Sequence, residues 1–290
     1  LKDEPRGGIP RRDMRISLER LIFMRRPVGE FLEHAWRAGV DGVEFAEFEL
    51  QRLIQEGRYD HSSLYKDVKN KGLTISGIYW SAEFHKSEER SKILSQAAGL
   101  AEVYGKIECR NVVIGPPRGG LGAGLPPSQV YRLLDQLVET LREALKIFVD
   151  NGITPSLHNH YDTLIETEAE LKYVLSRIEP ELLKFCPDTA HLALAGMDPV
   201  QMIRRHLDRI VYAHLKDLKS FQAEGKRVER WYELTTELGS GVIDFPKIVR
   251  LLRSTGKVEW LVVEQDFTEK TPEESVRMSL NYLAPLVRGD

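Results

Sequence analysis

Eight short apolar, β-rich runs recur along the 290 residues, each separated from the next by a longer segment. The runs are Arg15–Ile22, Gly42–Phe45, Thr74–Trp80, Asn111–Ile114, Thr154–His158, Leu183–Pro187, Ile210–Leu215 and Trp260–Glu264. Several of the intervening segments carry helix punctuation. Val28 to Ala38 stops at Gly39, and Pro126 to Val149 stops before Asn151-Gly152. Ser87 to Tyr104 opens with Glu88 and Glu89, which favour the positive end of a helix dipole. Thr167 and Glu170 form a capping box opening a helix to about Arg177, and Asp198 precedes a first-turn Pro199. Asp244 to Arg253 and Pro272 to Leu286 complete the set. Strands alternating with helices imply right-handed βαβ units and a parallel sheet. Eight such units close naturally as an α/β (β/α)8 barrel, with a doubly wound open sheet as the rival. About 250 residues is usual for such a barrel in one domain. Residues 14–290 are therefore expected to form a single domain, preceded by a charged, Gly- and Pro-rich tail over residues 1–13.

Composition narrows the class of function. With 41 Lys+Arg against 44 Asp+Glu, the net charge is −3. A chain that steers itself onto phosphate backbones carries a basic surplus, so no nucleic-acid partner is expected. No apolar run approaches the roughly 18 residues that span a bilayer, so no membrane partner is expected either. Two cysteines, Cys109 and Cys186, lie in apolar runs and read as buried free thiols, which suits a cytoplasmic location. A homo-oligomer is compatible with these totals.

Polar residues cluster at the ends of the last four runs, in LHNH, PDTAH, HLKD and VVEQD. Burying such groups after apolar strands is costly unless something compensates, and a metal ion does so. His158, Asp188, His214 and Glu264 come from four consecutive strands and are the candidate metal ligands. Two imidazoles and two carboxylates suit one divalent ion of Mn, Co, Zn or Fe.

Other positions are less settled by the pattern. His160 shares a face with His158 by alternation, and could ligate in its place, bind substrate or orient a ligand. His191 follows Asp188 by three residues and is a substrate-binding candidate. Lys216 shares a face with His214 and is a candidate catalytic group, with a surface lysine as the alternative. Glu44 is a candidate for contact with substrate, for acid/base work or for supporting a ligand. Trp80 and Trp231 are substrate-binding candidates, offering apolar faces to a ring-shaped ligand. His34 and His206 read as outer-ring residues, and His85 follows the third run beside Trp80 and Glu83. Two long loops, residues 115–124 and 217–241, follow strands and so belong at the C-terminal face, where barrel active sites form. Arg118 with Gly119 and Gly120 could cradle a phosphate, though such a loop is more often a plain turn.

Together with the Gly239–Phe245 run GSGVIDF, these strings resemble the xylose-isomerase-like TIM barrel family over nearly the whole chain from Arg15. That family holds sugar phosphate isomerases and epimerases, inosose dehydratases and endonuclease-IV-like proteins. The resemblance places the metal ligands on His158, Asp188, His214 and Glu264, and a substrate-contacting histidine on His191. In the family's ketose 3-epimerases the fifth strand supplies a glutamate ligand that also moves a proton, whereas this chain has His158. A histidine there is similar to inosose dehydratases and to the sugar phosphate isomerase/epimerase branch carrying HNH strings.

The implied substrate is a small sugar-like molecule. The implied chemistry is proton abstraction beside a metal-bound carbonyl, which leads to isomerisation, epimerisation or, if a β-hydroxyl departs, dehydration. Glu264, Lys216 and His160, in that order, are the expected proton carriers, and an isomerase or epimerase of a keto-sugar is the first expectation. A dehydratase is the alternative. An endonuclease would need more ligands and a basic groove, and a non-catalytic sugar-binding barrel would show an incomplete ligand set.

Overall fold

In a computed structural model, which describes residues 14–117, 124–221 and 227–289, the expected alternation closes on itself. The barrel strands are β1 (Arg15–Glu19), β2 (Gly42–Ala46), β3 (Thr74–Ser81), β4 (Asn111–Gly115), β5 (Thr154–His158), β6 (Lys184–Cys186), β7 (Tyr212–Leu215) and β8 (Trp260–Val263). All are parallel, in the order β6-β5-β4-β3-β2-β1-β8-β7. Isolated parallel bridges Phe185–Ile210 and Asp188–His214 join the two ends of that order, so the sheet is a (β/α)8 barrel and not an open one. The 1–13 tail and the Arg118–Gly120 loop proposed for phosphate lie outside the described residues.

Ten α-helices surround the strands among the described residues: α1 (Val28–Arg37), α2 (Glu47–Gln55), α3 (His61–Asn70), α4 (Arg90–Lys106), α5 (Pro127–Asp150), α6 (Glu168–Arg177), α7 (Thr189–Leu194), α8 (Pro199–Arg205), α9 (Phe245–Ser254) and α10 (Pro272–Arg288). Two of the caps read from the sequence are present, whereas Ser87–Glu89 form a 3-10 turn and α4 starts only at Arg90, with no side-chain cap. Thr167 and Glu170 form their reciprocal box, and Asp198 Oδ1 accepts from Val200 N at 2.8 Å. The α2–α3 pair between β2 and β3 was not singled out by the pattern. Its start is marked only by buried Glu47 and Glu49, which do not look like an apolar stripe. None of the described helices is long and apolar enough to cross a membrane. Cys109 and Cys186 are buried free thiols, both pushed up to about 12 by burial.

Apolar residues form two layers. One lies between strands and helices. The other fills the barrel with Ala46, Tyr79, Val113, Cys186, Tyr212, Trp260 and Val262. A filled interior is what a barrel of eight strands requires. Gly42 makes room for it: a Cβ there would lie 2.8 Å from the Trp260 ring and from Thr74 O.

The first strand ends earlier than the apolar run suggested. After Glu19 the chain turns into a short 3-10 segment, Leu21–Phe23, that buries Phe23. Arg20, at that corner, forms an ion pair with Glu49 of α2, and both side chains are buried. It also donates to Arg26 O at 2.6 Å. Breaking a buried pair strands the remaining charge, at about 3–5 kcal/mol. Arg20→Met should therefore lower the unfolding free energy by that order in a urea titration. A change of under about 1 kcal/mol would mean that Glu49 finds another partner or its proton.

Candidate metal centre

The four strand-end residues expected to bind metal do meet. His158, Asp188, His214 and Glu264 each present a ligand atom, and these atoms lie within 4.8 Å of one another. All four residues are buried. His158 ends β5, His214 is on β7 and Glu264 follows β8. Asp188 is the N-cap of α7, its Oδ1 accepting from His191 N at 2.8 Å. The barrel closes at this point, since Asp188 and His214 form one of the bridges between its ends.

Atoms on this cluster are buried without a hydrogen bond: Asp188 Oδ2, His214 Nδ1 and Glu264 Oε2. His214 Nδ1 and Glu264 Oε2 come within 2.7 Å, yet not in hydrogen-bond geometry. Buried groups left in that state are costly unless something else satisfies them. Two imidazoles and two carboxylates converging at ligand spacing fit a divalent ion of the Zn, Mn, Co or Fe type. His158 is thus the strand-five residue in the cluster, and His160 stands outside it.

Glu44 is fully buried beneath the cluster. Its Oε2 accepts from Tyr212 OH at 2.6 Å and lies 3.1 Å from His214 Nε2. Ser76 Oγ is 2.9 Å from the same hydroxyl and 2.7 Å from Ser17 Oγ, so a polar chain runs from the barrel interior to a ligand imidazole. A carboxylate on the far nitrogen turns Nδ1 toward the cluster and raises its basicity. Glu44 also lines the cavity above. Glu44→Gln should weaken metal binding by about 10–100-fold in a competition titration with a chelating dye. Unchanged affinity would show that Tyr212 alone orients the ring.

On the other side of the cluster Lys216 is completely buried, not a surface lysine. Its Nζ lies 2.8 Å from Glu264 Oε1, 2.6 Å from Asp266 Oδ2 and 3.3 Å from Asp188 Oδ2. It also donates to His191 Nε2 at 3.2 Å. Burial alone would strip its proton, but Asp188, Asp266 and Glu264 hold its pKa well above the ordinary lysine value. The His160 ring rests on that of His191, centroids 3.9 Å apart, and Trp231 stands edge-on to both, at 5.4 Å and 4.8 Å. His160, His191, Lys216 and Trp231 are thus gathered along one wall.

Trp80 is not brought to the cluster. It is buried in the outer layer against Phe84 and Phe148, with centroids at 5.2 Å and 5.5 Å. The aromatic ring facing His158 is Tyr79, edge-on at 5.6 Å. Gly115, at the end of β4, makes that placement possible, because a Cβ there would come within 2.0 Å of Tyr79 OH. His34 and His206 sit in the outer ring against Phe23 and Phe185, as expected.

Besides Tyr79 and Tyr212, three residues with a place in the site were not among the expected ones. Glu19 ends β1 in register with Glu44 and lines the cavity over the cluster. Burial first, then Glu264 and Glu44, push its pKa well above the carboxylate range. Asp266 lines the same cavity and is pushed up to about 6, by burial first and against the pull of Lys216. Asn159 clamps Asp188, donating to its carbonyl at 3.3 Å and accepting from its N–H at 2.9 Å. Asp266 and Asn159 had a signal, since both sit inside the strings that flagged the site.

Behind this wall, Asp217 holds the long loop after β7. Its carboxylate accepts from Leu218 N at 2.8 Å, Gly239 N at 3.0 Å, Gly241 N at 2.9 Å and Ile243 N at 3.2 Å. Four backbone donors on one carboxylate fix the GSG turn, and with it the base of the segment carrying Trp231.

Comparison with known proteins agrees with this picture. A family model described as xylose isomerase-like TIM barrel matches residues 32–286. The inosose dehydratase of Geobacillus kaustophilus (strain HTA426) is 27% identical over 256 residues, 82% of this chain and 82% of that protein. Matches to several other inosose dehydratases span about half of their length. Among solved structures, a zinc-bound IolI protein superposes with a TM-score of 0.78 at 15% identity, covering 95% of this chain and 99% of that one. The 3-keto-D-glucoside 4-epimerase YcjR from E. coli superposes with a TM-score of 0.72 at 18% identity, covering 93% of this chain and 99% of that one.

Proposed function

This chain belongs to the xylose isomerase-like TIM barrel family, and from that premise we propose that it is a divalent-metal-dependent dehydratase of a cyclic polyhydroxylated ketone. The observation that carries this reading is the buried His158–Asp188–His214–Glu264 cluster with the lysine of HLKD pressed against it. A divalent ion bound there would act as a Lewis acid on a substrate carbonyl and make the neighbouring C–H more acidic. Zinc is supported by the zinc-bound structural neighbour and by the donor set.

The chain's own groups supply the rest. Lys216, held protonated by Asp188, Asp266 and Glu264, is the group we assign to turn one N–H to the substrate oxygen as charge develops on it. Asp266, raised to about 6, is in the range where a carboxylate both takes and returns a proton near neutrality. Glu19, whose pKa is raised by burial first and then by Glu264 and Glu44, is the group placed to deliver a proton to a departing hydroxyl. His191 and His160 bind hydroxyls along the wall, and Trp231 closes over them. A proton acceptor and a proton donor lining one cavity are what loss of water requires, and kinship with inosose dehydratases supports that outcome.

Epimerisation or isomerisation is the second reading. It shares the first proton transfer and differs in where the proton returns. His160 lines the same cavity and is a further proton carrier, which favours it, as does a shared fold with a keto-glucoside epimerase.

The two readings separate in deuterated water. Zinc- or manganese-loaded protein given 2-keto-myo-inositol should yield a product lighter by one water. A product of unchanged composition carrying solvent deuterium would instead establish the epimerase or isomerase reading. No conversion of this ketone or of keto-hexoses with any of the four metals would overturn both.

A further inference from the structure

The cavity directly over the metal cluster is about 40 Å³, close to the space of one water molecule. Ligand sites commonly run to about 300–1,000 Å³. A second cavity of about 380 Å³ adjoins the first, because Phe48 and Tyr79 line both. It opens on the same C-terminal face, between the start of α2 and the segment that follows β3. Phe48, Tyr79 and Trp80 give it aromatic walls, and Glu47, Gln51, Glu83 and Gln96 supply polar groups. Phe48 is 51% exposed and stands between the two cavities, so one face of its ring is open to a ligand.

The chemistry of this lining is selective. Among the described residues, no arginine or lysine lines either cavity. Glu47 is buried, accepts from Tyr104 OH at 2.8 Å and is raised to about 7 by burial, so it offers one oxygen poised between donor and acceptor. The carboxylate of Glu83 is already paired with Lys86 at 3.0 Å. Aromatic faces with amides and a half-neutral carboxyl suit the apolar face and hydroxyl rim of a sugar ring. They do not suit a phosphate, which needs cationic or clustered backbone donors.

We propose that this side cavity is a second-ring subsite, so that the substrate is a keto-cyclitol or keto-sugar bearing a neutral glycosyl group. The reacting ring presents its carbonyl to the small cavity over the cluster on one side of Phe48 and Tyr79, and the appended ring fills the larger cavity on the other. This rests on the proposed function, since it extends the same site by one sugar unit.

The test is calorimetric, on zinc-loaded protein with confirmed metal content. The probes are 2-keto-myo-inositol and an O-glucosylated form of the same ring. The glucosyl group should tighten binding by about tenfold, worth roughly 1.4 kcal/mol. In Gln96→Trp, which fills the cavity, that ratio should fall to within about twofold while the bound zinc, read by elemental analysis, stays at the wild-type level. Phe48→Ala, which removes a wall, should shrink the same ratio and serves if the tryptophan variant does not fold. Equal affinity for both probes in the wild type, or a ratio that survives both variants, overturns the subsite and leaves the dehydratase reading standing. If neither probe binds, the reading of the mouth as a keto-cyclitol site falls, and the subsite with it.

Discussion

His158→Ala should abolish stoichiometric metal binding, from about one ion per wild-type chain to under a tenth of that. His158 supplies one of four candidate ligand atoms gathered within 4.8 Å, and among the described residues no fifth His, Cys, Asp or Glu joins that group. His160, two residues on, points its ring at His191 instead, and its Nδ1 is 2.5 Å from Tyr161 O. Lewis-acid assistance is worth several kcal/mol, so activity should fall by about 10³-fold with it. Elemental mass spectrometry on both proteins reads the first effect and product formation the second. A wild type that takes up none of the four metals, even after reconstitution, would sink the mechanism and leave the cluster as a hydrogen-bonded binding site.

Lys216→Met should have two separable effects. In the metal-free protein it leaves Asp188, Glu264 and Asp266 facing one another without their cation, at a cost of about 3–5 kcal/mol. Zinc should restore much of that loss, because it neutralises two of the three carboxylates and binds only the folded chain. Metal affinity should not weaken, since a competing positive charge has been removed, and in this the variant differs from Glu44→Gln. Turnover at full metal occupancy should still drop by about 10²–10⁴, the usual scale for a lost proton-transfer or charge-stabilising group. Turnover equal to wild type at full occupancy would reduce Lys216 to a counter-ion that stabilises the empty site.

Much of this was legible in the chain. The β/α alternation gave the barrel, because each strand's apolar run and each helix's caps are local signals. The four candidate ligands were legible too: each alone reads as a hydrogen-bonded strand-end residue, but four polar ends on consecutive strands point to one shared partner. Asp266 was within reach too. It lies two residues beyond Glu264 in VVEQD, on the same face if the extended backbone continues. Glu19 was hidden, because Leu21, Ile22 and Phe23 prolong the apolar run past the true strand end, and only the fold turns them into a 3-10 corner.

Trp80 and Tyr79 show where local reading stops. Ser76 faces the barrel interior, bonded to Ser17 and Tyr212, so plain alternation from it would send Trp80 inward. Across the β2–β3 pair, however, Val43 faces Ile75 and Glu44 faces Gly77, which leaves one extra residue on β3. A single inserted residue reverses the face of everything after it, so Tyr79 turns to the metal site and Trp80 to the helices. The amino-acid sequence determined the architecture and the candidate ligand set, because periodicity and strand-end polarity are encoded within a few residues. Which aromatic lines the mouth, that Lys216 is caged by three carboxylates, and that Glu44 stands behind His214 were decided only in the closed barrel. Those facts depend on register between strands distant in the chain, and no stretch of sequence carries that register by itself.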